Sequence, residues 1–217
     1  MDARAVDELR ELERRDAELA EQGERLHALD MEVGAVRGRA EEIEAFFLGY
    51  PETDERLRTA VAAATEEAAA RRDELAEAER AVADARDDDS RAAAGRALVR
   101  ARDHVETAEA RVARATEEHQ AHERDAAAAA AALPALAERA GLAASEVGHD
   151  APEATPRGLV DWAAAAHASL FVAAGQVDAQ RDRVIREANE LATMLLGEPT
   201  YGDTAAQALG RVEASLT

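Results

Sequence analysis

Residues 12–47 read LERRDAELAEQGERLHALDMEVGAVRGRAEEIEAFF, and the spacing of apolar side chains in this stretch decides the fold class. Leu12, Leu19, Leu26, Val33, Ala40 and Phe47 recur at every seventh position, and Leu29, Val36 and Ile43 fill the second line of the same stripe. Two apolar positions per heptad is the pattern of helices that wind around one another. Glu11 with Arg15 and Glu21 with Arg25 are i,i+4 pairs in the favourable order. Arg15 and Gln22 fall on the second line, so the seam is weaker in the N-terminal third. The stretch predicts a helix over residues 2–48, stopped by Gly49-Tyr50-Pro51, because the residue before a proline resists helical geometry.

Working outward, a second helix is predicted over residues 52–87, with Leu57, Ala64, Arg71, Ala78 and Ala85 on one seam line and Val61, Ala68, Leu75 and Val82 on the other. Asp87-Asp88-Asp89-Ser90 interrupts it. Three carboxylates oppose the dipole at a helix C-terminus and suit the N-terminus of the next helix, with Asp89 or Ser90 as N-cap. A third helix is predicted over 90–140, with Leu98, Val105, Val112 and His119 beside Ala101, Ala108, Ala115 and His122. Folding the chain about Asp88, in a hairpin turning at 87–90, sets Val112 against Ala64, Ala101 against Leu75, Ala115 against Val61 and Leu98 against Ala78. Each layer joins a large residue to a small one, which lets two antiparallel helices approach with few voids.

Pro134 marks an expected kink, Gly141 the expected helix end with Leu142 folding back, and 141–155 a linker. Thr155-Pro156 is a start signal, an N-cap followed by proline at N1, for a fourth long helix over 156–197. Residues 198–217 form a short helical tail with Leu209, Val212 and Leu216 on one face. The expected fold is therefore all-α: an antiparallel coiled coil or elongated four-helix bundle with a short C-terminal helix. Up-down-up-down connection gathers Phe46, Phe47, Tyr50, Trp162 and Phe171 into an expected aromatic cluster at one end.

Composition narrows the function classes. Apolar residues make up 47 %, much of it alanine, aromatics 3 % and charged residues 33 %. Alanine buries little area, so long rods at close range are favoured over a globular core. Every one of the 26 basic residues is arginine, and the net charge is -20. An acidic chain repels phosphate backbones, which argues against sequence-independent nucleic-acid binding. Without lysine there is no Walker A loop and no Schiff-base site; without cysteine there is no thiol nucleophile, disulfide or zinc thiolate. Ser90, Ser145, Ser169 and Ser215 stand in no serine-hydrolase context. No apolar leader is visible at the N-terminus. The uncharged run 126–137 contains Pro134 and falls short of the roughly 20 residues a bilayer span needs. The expectation is a cytoplasmic protein with no membrane contact, no cofactor and no catalytic residue.

Glu24-x-x-His27 has the spacing of a carboxylate-bridged metal motif, but the seam at Leu26 turns both residues outward. His119 and His122 occupy both seam lines, and the hairpin register sets His122 opposite Asp54 and His119 opposite Leu57. Three readings stand open: a pH-sensitive joint of His119, His122 and Asp54, a metal pair completed by Glu118 or Glu123, or two partly exposed histidines near a hairpin end.

Residues 136–147, LAERAGLAASEV, resemble the helix-turn-helix core of bacterial regulators, which implies DNA binding. The segment lacks the basic and amide side chains that read base edges, and Gly148, Asp150 and Pro152 interrupt what would be the recognition helix. The acidic and arginine-rich heptads folding back at a hairpin also resemble arm segments of SMC-type chromosome-maintenance ATPases over most of the chain. That resemblance implies an antiparallel coiled-coil arm. No nucleotide-binding head or Gly-rich hinge accompanies it, so ATPase and DNA-clamping roles do not carry over. The function expected is a non-catalytic coiled-coil scaffold or protein-interaction module, pairing with a helical partner or with its own copy as a dimer. The alternatives are a DNA-associated accessory protein and a helical bundle that binds a metal or small ligand.

Overall fold

A computed structural model describes residues 3–215. The expected helix start at Asp2 and the apolar Leu216 lie outside the described residues. Among the described residues there are four helices and no strand: α1 Ala3–Asp84, α2 Asp88–Val147, α3 Pro156–Leu196 and α4 Ala205–Ala214. The chain is all-α.

The expected break at Gly49-Tyr50-Pro51 does not occur: α1 runs through it, with Pro51 inside the helix. A mid-helix proline removes one hydrogen bond and costs about 3 kcal/mol. Contacts on both sides of Pro51 hold the register. Phe46 and Tyr50 meet with ring centroids 5.9 Å apart, and Asp54, one turn beyond Pro51, is pinned by His119 at 2.8 Å. Pro51 itself is exposed. The first two predicted helices are thus one.

The turn also lies earlier than predicted. Helix α1 ends at Asp84 and α2 starts at Asp88. The cap is Asp87 rather than Asp89 or Ser90: its Oδ1 accepts from the Ser90 N–H at 2.7 Å, while the Ser90 Oγ accepts from the Asp87 N–H at 3.3 Å. This reciprocal arrangement satisfies N–H groups that the first turn leaves orphaned. Asp88 and Asp89 then sit in the first turn, where the dipole favours them.

Pro134 and Gly141 lie inside α2, which continues to Val147. The Schellman end expected at Gly141 is found at Gly148, which has φ 73° and is followed by a bond from the His149 N–H to the Ala144 carbonyl at 3.0 Å. Only glycine reaches that left-handed geometry without a Cβ penalty. Leu142, expected to fold back, is exposed. Helix α3 has Thr155 as N-cap, its Oγ1 accepting from the Gly158 N–H at 3.0 Å, with Pro156 at N1. Gly197, φ 75°, ends it.

The chain divides into two compact units, Met1–Glu41 with Leu133–Thr217, and Glu42–Ala132. In the first, α1 and α3 run in opposite senses: Asp16 pairs with Arg181 and Asp30 with His167. The last turns of α2 lie along α1 through Glu32–Arg139 and Glu146–Arg25, and α4 lies along its start through Arg10–Glu213. Val6, Leu9 and Leu12 of α1, Val184, Ala188 and Ala192 of α3, and Ala205, Ala208, Leu209 and Val212 of α4 share one core. In the second unit the two arms flanking the turn are antiparallel, tied by Arg111–Glu67 at 2.9 Å and Arg72–Glu109 at 2.7 Å. Its deepest interior positions include Ala68, Ala101 and Ala108.

Candidate functional site

Among the described residues three places stand out, besides a contact of 2.8 Å between His149 Nε2 and Ser169 Oγ. The first is in the Glu42–Ala132 unit. Asp54, 8 % exposed, accepts from His119 Nε2 at 2.8 Å and from Arg58 at 3.0 Å, with Glu123 at 3.8 Å from the same imidazole nitrogen. The expected register set His122 opposite Asp54. His119 takes that place, one helical turn away. His122 instead lies flat on Tyr50, centroids 4.6 Å apart at 13°, and 5.6 Å from Phe46. Its Nε2 is buried with no hydrogen-bond partner. Glu118, a candidate metal ligand, is exposed. Among the described residues no group of three His, Asp or Glu side chains is arranged to hold a metal ion.

The aromatic residues fall in two sets. Phe46, Phe47 and Tyr50 belong to this unit and touch one another and His122. Trp162 and Phe171 belong to the other unit. Trp162 is 8 % exposed, with its indole N–H buried and unpaired, whereas Phe171, expected in the cluster, is 77 % exposed. Both lie on α3, but one faces the core and the other faces water.

The second place is a groove of about 570 Å³ between α1 and α3 in the first unit. The heptad seam explains its position. Leu12 and Val33 are buried, but Leu19 and Leu26 between them are only half-buried, so the seam opens over this stretch. Leu170 and Ala174 complete the apolar floor, and Phe171 stands at the edge. One end of the groove is closed by the Asp30–His167 pair. At the other, Arg181 Nε donates to Asp16 Oδ1 at 2.8 Å, and Asp16 Oδ2 accepts from the Ala205 N–H at 2.9 Å. Glu24 and Asp178 also line the groove and are exposed.

The third is the outer face of α3. Ala164, Ala168, Phe171, Val172, Gly175 and Ala179 are exposed along one side of the helix, and residues 162–177 carry no Asp, Glu or Arg. Sequence reading passed over this run, which is longer than 126–137. By length and composition α3 could cross a membrane, and 28 % of its most apolar window is buried. The buried stripe of Leu159, Ala163, Ala166, Leu170 and Val177 lies opposite.

The segment resembling a helix-turn-helix contains no turn: 136–147 is continuous helix, with Ala140, Ala143 and Ala144 buried. A recognition helix needs a break after Ala140 to reach a groove, and none exists. Comparisons with protein-family models, with curated proteins and with solved structures find no match to this chain.

Proposed function

We propose that this chain is a non-catalytic coiled-coil scaffold that associates with a second copy of itself through the outer face of α3. The carrying observation is that face: an exposed apolar ridge, with Val172 58 % and Phe171 77 % exposed, on a run free of charge within a protein of net charge -20. Bringing two copies together through this face opposes no carboxylate within residues 162–177. Ala168 and Gly175 flank Phe171 and Val172, so an antiparallel pairing about a two-fold axis through the middle of the ridge would set Phe171 on Val172 of the second copy, with Ala168 facing Gly175 on either side and letting the helices approach closely. Burying such a ridge is the usual reason for its exposure in one chain.

A membrane role fits less well. At 1.5 Å per residue the uncharged run is about 24 Å long, short of the roughly 30 Å hydrocarbon core. The opposite stripe of the same helix is packed on protein. The proposal therefore keeps a cytoplasmic protein whose partners are helices. It assigns no enzyme role: the sequence holds no cysteine or lysine to act as a nucleophile.

Sedimentation equilibrium at tens of micromolar tests it. Wild type is expected to be a dimer and Ala168→Arg a monomer with the same helix content by circular dichroism. A monomeric wild type, or an Ala168→Arg dimer as tight as wild type, defeats the reading.

A further inference from the structure

We infer that the groove between α1 and α3 binds a hydrophobic organic monocation, an ammonium or phosphonium centre wrapped in aromatic or alkyl groups. The volume, about 570 Å³, lies within the range of small-molecule sites. The floor supplies apolar surface from Leu19, Leu26 and Leu170, the first two being seam residues that the packed helices leave half-covered.

The charge selects the ligand's sign. The one arginine in the lining, Arg181, is already bound to the buried carboxylate of Asp16, and His167 is set against Asp30. Glu24 and Asp178 remain, on opposite walls, with no ion pair of their own among the described residues; with Asp30 they outnumber the one arginine of a lining whose other basic groups are His27 and His167. An apolar trough under two carboxylates attracts a cation and repels an anion of the same shape. A hydrated cation such as a metal ion would gain nothing from the leucine floor, and a neutral hydrocarbon would gain nothing from the carboxylates; the two features together call for both properties in one molecule.

Equilibrium dialysis of the full chain against tetraphenylphosphonium and its anionic isostere tetraphenylborate tests this. The phosphonium is expected to bind saturably at one site per chain, at least about tenfold more tightly than the borate, a preference of the size one or two nearby charges confer. Tetramethylammonium, equally charged but without bulk, should not displace it. The Glu24→Gln/Asp178→Asn double variant should lose most of the preference. A control with the same charge change at exposed sites in the other unit, Glu66→Gln/Glu77→Gln, should keep it. Absent saturable binding, equal binding of the borate, displacement by tetramethylammonium, or an equal loss in both double variants each overturns the inference. These substitutions are at exposed positions, and unchanged helicity by circular dichroism confirms that binding is being read on folded protein.

Discussion

Asp16 and Arg181 form an ion pair 2.8 Å long across α1 and α3, in which the carboxylate is 4 % exposed as a residue and its second oxygen holds the first N–H of α4. One side chain thus ties three helices together. The Arg181 side chain keeps about a third of its surface in water (36 %), so its share of the pair is screened. The Ala205 N–H is buried, and leaving it unpaired carries its full desolvation cost.

Asp16→Ala is therefore expected to destabilise the chain by about 2 kcal/mol, less than a fully buried pair because Arg181 can turn to water. Asp16→Asn, which still offers an oxygen to Ala205, should lose about half of that. Urea denaturation of the two variants checks the order. Equal stability of Asp16→Ala and wild type would contradict the three-helix tie.

The Asp87 cap gives a pH dependence. The Ser90 N–H, then the Ser90 hydroxyl, hold the Asp87 carboxyl below the ordinary carboxylate range. A carboxyl lowered in the folded chain binds its proton more readily when unfolded. Its stabilising contribution is therefore complete above the unfolded value, near 3.9, and is lost as pH falls through the lower folded one. Asp87→Asn should be less stable than wild type at neutral pH, and the gap should close at the acid end of a pH series of thermal melts. A gap constant with pH would remove the charge contribution.

Two glycines should respond with opposite signs to alanine. Gly148 ends α2 at φ 73°, so Gly148→Ala is expected to cost about 1 kcal/mol. Gly34 is inside α1, with nothing within 4 Å of where a Cβ would stand, so Gly34→Ala should stabilise by about 1 kcal/mol. Thermal melts of the pair, run side by side, check both signs.

Asp54→Ala should destabilise by about 1 to 2 kcal/mol, since it removes the acceptor from His119 and Arg58 one turn beyond Pro51. Hydrogen exchange offers a local readout. Amides in the turns around Pro51 should lose more protection than those near the Asp87 cap, because Asp54 is one of the contacts that carry the helix past the proline. Uniform loss along α1 would show that Pro51 needs no such support.

Much of the architecture was legible locally. Heptad spacing through residues 12–47 requires helix, Thr155-Pro156 coincides with the first turn of α3, and Gly197 with its end. These signals act within a few residues, where backbone geometry and one hydrogen bond settle the outcome. The candidate groove was not legible. Leu19 and Leu26 continue the heptad as faithfully as Leu12 and Val33, and only the third dimension leaves them half-covered. Asp16 and Arg181 are separated by 165 positions, and Asp30 and His167 by 137, so no local pattern links them.

The sequence by itself determined that this protein is helical, that its apolar side chains lie in stripes, and that lysine and cysteine chemistry is closed to it. Tertiary structure decided where the helices stop. Pro51 and Gly141 each carry a local preference to break, worth at most a few kcal/mol, and both lie inside unbroken helix. The same competition moved the turn ahead of Asp87 and put His119, not His122, on Asp54. Local preference is a small free energy, and packing summed over many turns is a large one.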